Sequence, residues 1–79
     1  MNVEQVLNSN LWTPGEKAIV KWQFRLLGGF LDALFLAIAR ANEENLAKLE
    51  LTFPEEVAGF RAWSHGDLAR RLRKAGLEI

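Results

Sequence analysis

The stretch Val20-Lys21-Trp22-Gln23-Phe24-Arg25-Leu26 decides the fold, because apolar and polar residues alternate along it as they do in a half-buried strand. The same residues also satisfy a helix: Ala18, Ile19, Trp22 and Leu26 share one helical face, and Thr13-Pro14-Gly15-Glu16 opens a helix just upstream. A strand needs a partner, and no second strand is legible in the chain. The helical reading is therefore preferred, with 20–26 kept open as an extended segment whose free edge would pair with another chain. Gly28-Gly29 then marks a break, since each glycine inside a helix costs about 1 kcal/mol.

Downstream, Gly29 to Ala41 is apolar at nearly every position, interrupted by Asp32 and Arg40. At well under the roughly 20 residues needed to span a bilayer, this run predicts a helix at the centre of a bundle or across an oligomer interface. Asp32 is expected on an exposed strip or paired with Arg25 or Lys21. Asn42 is expected to break this helix and cap the next, Glu43 to Leu51, which offers Leu46 and Leu49. Phe53, Val57 and Phe60, at i, i+4, i+7, predict a helix from Pro54 to Trp63. Leu68, Leu72 and Ala75 repeat the spacing, with Arg70, Arg73 and Lys74 opposite and Gly76 in the left-handed position that ends a helix. Upstream, Asn2 to Asn8 predicts a brief helix with Val3, Val6 and Leu7 inward.

Hydroxyls stand three residues before carboxylates at Thr13–Glu16, Thr52–Glu55 and Ser64–Asp67, the spacing of a capping box. Pro54 favours the first helical position, which makes Phe53 the alternative cap of the second. The fold expected is all-α, one domain over residues 1–79, a compact bundle of four to five short helices. Its core is expected from Phe30, Leu34, Phe35, Ile38, Leu46, Leu49, Val57, Phe60, Leu68 and Leu72.

The 79 residues include no cysteine and one histidine, so neither a disulfide nor a standard four-ligand zinc site holds the fold. Zero net charge with 49% apolar and 25% charged residues is the balance of a folded domain rather than a disordered or uniformly basic one. The neutrality is a cancellation. Residues 40–60 carry five glutamates against Arg40 and Lys48, and residues 61–74 carry Arg61, Arg70, Arg71, Arg73 and Lys74 against Asp67 alone. Met1-Asn2-Val3-Glu4-Gln5 has neither the basic start nor the apolar run of a signal peptide, which predicts a cytoplasmic protein.

No catalytic residue is expected. Ser64-His65-Gly66-Asp67 holds the residue types of a triad, but adjacency is not triad geometry, and Ser64 and Asp67 are read as a cap. Metal and cofactor are not expected either: no Glu-x-x-His pair is present, and Leu27-Gly28-Gly29-Phe30 lacks the lysine of a phosphate loop. Binding remains. Trp and Arg anchor protein interfaces, which points to Trp22 with Arg25 and to Trp63 with Arg61. The small core and the apolar helix predict a homo-oligomer. The alternative is nucleic-acid binding by the basic C-terminal helix, residues 65–75, through Arg70, Arg71, Arg73 and Lys74, in the manner of a helix-turn-helix. The chain's neutrality limits the phosphate attraction such binding draws on.

Phe30-Leu31-Asp32-Ala33-Leu34-Phe35, Ile38-Ala39-Arg40-Ala41-Asn42, Asn45-Leu46-Ala47-Lys48-Leu49 and Phe53-Pro54-Glu55-Glu56-Val57-Ala58-Gly59-Phe60-Arg61 together resemble a group of small uncharacterised proteins encoded by bacteriophages and prophages. The resemblance runs from Phe30 to Arg61; the longer N-terminal part and the basic C-terminal helix depart from it. It implies a phage protein that works in the bacterial host cytoplasm by binding and modulating another protein, and it brings no functional residues.

Overall fold

A computed structural model describes residues 1–79 as six helices and no strand. These are α1 (Val3–Leu7), α2 (Pro14–Gln23), α3 (Gly29–Arg40), α4 (Glu43–Thr52), α5 (Pro54–Ser64) and α6 (Leu68–Lys74). Five have seven or more residues, so the all-α bundle holds, with α1 a five-residue addition. No helix is long and apolar enough to cross a membrane.

Local chemistry sets most helix starts. Thr13 Oγ1 accepts from the Glu16 N–H at 3.1 Å while Glu16 Oε1 accepts from the Thr13 N–H at 2.8 Å, closing the predicted box with Pro14 at the first helical position. Asn2 and Gln5 form a second reciprocal box at α1, built from two amides in place of a hydroxyl and a carboxylate. Asn42 caps α4 as expected, accepting from the Asn45 N–H at 2.9 Å. Phe53, not Thr52, stands between α4 and α5. The Ser64 box does not form. Ser64 is the last residue of α5 and its hydroxyl donates back to the Phe60 carbonyl at 2.9 Å, a competing bond that a helix-terminal serine readily makes. Asp67 flanks α6 without a side-chain capping bond.

The alternating stretch is helical to Gln23 and then turns. Arg25 adopts φ 57°, with its N–H bonded to the Trp22 carbonyl and the Leu26 N–H to the Lys21 carbonyl. This is the paired-bond helix ending usually given to glycine at the left-handed position. The break therefore precedes Gly28, which serves instead as the extended residue before α3. Gly76, at φ 111°, makes the same ending at α6 and tucks the buried Leu77 against the core.

The core is Val6, Ile19, Val20, Leu34, Phe35, Ile38, Leu46, Val57, Leu68, Leu72 and Leu77. Leu49 and Phe60 are half-buried at its margin. Phe30, expected inside, is 68% exposed: it stands in the first turn of α3, one turn ahead of Leu34 on the same stripe, and its ring meets Phe53 at 6.0 Å between centroids. Nor is α3 central. The most extensive pairing is α2 with α5, which meet at Gly15 and Gly59. A Cβ on Gly59 would lie 2.3 Å from the Gly15 carbonyl oxygen, so only glycine lets the two backbones come this close.

Candidate functional site

At the end of α2, Trp22, Arg25, Leu27 and Asp32 line an open cavity of about 350 Å³. Trp22 forms its back wall, stacked on Phe35 with centroids 5.2 Å apart and tilted against Phe60 at 6.3 Å. The indole is thus fixed by the core while part of it remains accessible. Arg25 stands in a left-handed conformation that costs a non-glycine residue about 1 kcal/mol, and Leu26 beside it is 57% exposed. Compared with the Gly76–Leu77 ending, this one has the strained residue type and leaves its apolar partner in solvent. Asp32 lies exposed, the first of its two expected placements, and no ion pair within 4 Å joins it to Arg25 or Lys21. The cavity therefore presents an aromatic wall, a free guanidinium and a free carboxylate together.

Arg61 and Trp63 do not line it. Arg61 Nε lies 3.6 Å from Glu50 Oε2, bracing α5 against α4, and Trp63 is half-buried against the core. Of the two aromatic–arginine pairs, only Trp22 with Arg25 faces an open site.

The basic helix is divided. Arg71 turns inward: its Nη2 donates to Glu16 Oε2 at 2.5 Å, its Nε to Asp67 Oδ1 at 3.0 Å, and its guanidinium lies 5.6 Å from the centre of the Trp12 ring. Burial pushes the Glu16 carboxyl up, but the Thr13 N–H and the Arg71 guanidinium outweigh it and hold the group below the ordinary carboxylate range. Hydrogen bonding to Arg71, with the charges of Arg71 and Arg70, lowers Asp67 likewise. Glu16 in turn raises Arg71. Arg70 donates to Asp67 at 2.9 Å and Arg73 to the Ile79 carbonyl at 2.7 Å, while Lys74 forms no ion pair. Sequence reasoning spent Glu16 on its cap and missed this second role. The available signal was the position of Arg71, three residues after Leu68 and beside Leu72, on the flank of the buried face.

Ser64, His65 and Asp67 share no hydrogen bond: the serine donates to Phe60 and the carboxylate accepts from arginines. No three His, Asp or Glu side chains gather as metal ligands. The chain matches no protein-family model, no curated protein and no solved structure.

Proposed function

We propose that this chain is a small phage-type protein that acts without catalysis in the bacterial cytoplasm, by binding another protein at the Trp22–Arg25 cavity. One observation carries the reading: a non-glycine residue is held at positive φ so that its guanidinium stands beside a core-anchored indole and an unpaired Asp32. Backbone strain of this kind persists where the surroundings enforce it, and it concentrates at binding sites. A fixed tryptophan flanked by an unpaired arginine has the chemistry of an interface anchor. The partner segment that fits places an apolar side chain against Trp22 and Leu27 and a carboxylate on Arg25. The rival reading, nucleic-acid binding through α6, loses Arg71 to the Glu16 and Asp67 carboxylates and keeps Arg70, Arg73 and Lys74.

Affinity capture from bacterial lysate tests this with three baits: wild type, Arg25→Glu, and the double variant Arg70→Ala, Arg73→Ala. A protein held by wild type and by the α6 variant but lost from Arg25→Glu supports the cavity. Equal capture by Arg25→Glu removes it. A salt-sensitive electrophoretic shift of DNA or RNA, abolished only in the α6 variant, gives the function to α6 instead.

A further inference from the structure

The outer face of α3 is apolar and uncovered. Only Leu34, Phe35 and Ile38 of this helix are buried, while Leu36 is 47% exposed and Ala33, Ala37 and Ala39 around it are exposed as well. Two charges stand on the same open side, Asp32 and Arg40, each four residues from Leu36, or about 6 Å along the axis in opposite directions. Neither forms an ion pair within the chain. The face is thus self-complementary about Leu36: small residues and one leucine at the middle, an anion one turn toward the N-terminus and a cation one turn toward the C-terminus.

We propose that a second copy of this chain docks here, α3 against α3, antiparallel about a two-fold axis at Leu36. In an isologous contact residue i meets j and j meets i, so the axis brings Asp32 to Arg40 of the second copy twice over. A parallel pairing would set Asp32 on Asp32 and Arg40 on Arg40, which opposes it. The alanines let the helices approach closely around Leu36, which fills the centre. The pairing shares Asp32 with the Trp22–Arg25 cavity but needs no other protein, and its readout is mass.

Sedimentation equilibrium of the full chain at low salt, from micromolar to millimolar concentration, tests the pairing. Wild type dimerises; Leu36→Lys is monomeric with unchanged far-UV circular dichroism. Asp32→Arg and Arg40→Asp each dimerise about tenfold more weakly, because both contacts become like-charged. An equimolar mixture of those two variants regains wild-type affinity, since one chain then carries two cations opposite two anions. These exposed charge variants carry the test even if Leu36→Lys fails to fold. A wild type that stays monomeric at millimolar concentration overturns the proposal. So does a dimer indifferent to Leu36→Lys when that variant is folded, or a mixture no tighter than its components.

Discussion

Gly59→Ala adds one methyl group at the seam of α2 and α5, and its effect follows from the geometry there. The new Cβ would sit 2.3 Å from the Gly15 oxygen and 3.1 Å from the Gly15 Cα, where ordinary contact begins at 3.4 Å. The obstructing atoms are backbone, so no side chain can swing aside, and the helices must part by about 1 Å. A gap of up to about 1 Å forfeits a quarter to a half of each dispersion contact across the seam, where Ile19, Val20 and Val57 are fully buried. Overpacking costs about 1–3 kcal/mol, here at the upper end, while alanine's better helix propensity returns about 1 kcal/mol. The net loss is about 2 kcal/mol, a large share of the roughly 4–12 kcal/mol a chain of this length has. The melting temperature should fall by about 8–16 °C. Thermal and urea denaturation followed by far-UV circular dichroism measure it. Gly29→Ala is the internal control: nothing lies within 4 Å of its Cβ, so it should stabilise by about 0.5 kcal/mol. If Gly59→Ala melts at or above wild type, shifting upward like Gly29→Ala, the close-approach argument is wrong.

Glu16→Gln should destabilise by about 1–2 kcal/mol at neutral pH through the Arg71 contact. Because the folded-state pKa of Glu16 is depressed, its contribution is present above the unfolded value and lost as pH falls through the folded one. The gap between wild type and Glu16→Gln in urea should therefore close below about pH 4, and a gap unchanged at pH 2 would refute the ionic role. Thr13→Ala should cost about 1 kcal/mol and Ser64→Ala less than about 0.5 kcal/mol, since only Thr13 caps a helix; equal losses in paired melts would restore the Ser64 box. Arg25→Gly should raise stability by about 0.5–1 kcal/mol while abolishing partner capture, and a lower melting temperature would show that the left-handed residue carries no strain.

Helix starts at Thr13 and Asn42 were legible because the side chains that satisfy the first N–H donors lie within three residues, and the start at Pro54 because proline suits the first helical position; the i, i+4, i+7 rows placed Leu68, Leu72 and Val57 inside. The Ser64 box failed because a hydroxyl with two possible partners chose the carbonyl behind it. The apolar run of α3 misled differently: alanine raises hydropathy without demanding burial, so the run marks a helix but not its place in the bundle. Gly59 and Arg71 were not legible as contacts, because the meaning of each lies in a residue more than forty positions away, Gly15 and Glu16. Of the candidate site, the types Trp22 and Arg25 could be read from sequence. Their assembly with Leu27 and Asp32 depends on the left-handed turn at Arg25, which nothing in the residue type announces.

The two oxygens of Glu16 face different histories of the chain. Oε1 engages Thr13 three residues away, a contact available as soon as the first turn of α2 forms, on the submicrosecond scale of helix nucleation. Oε2 waits for Arg71, 55 residues on, and for closure of nearly the whole chain. One carboxylate thereby ties a contact local in sequence to one that spans most of the chain. Substitutions at Thr13 should slow folding to the extent that α2 is structured in the transition state, whereas substitutions at Arg71 should chiefly speed unfolding.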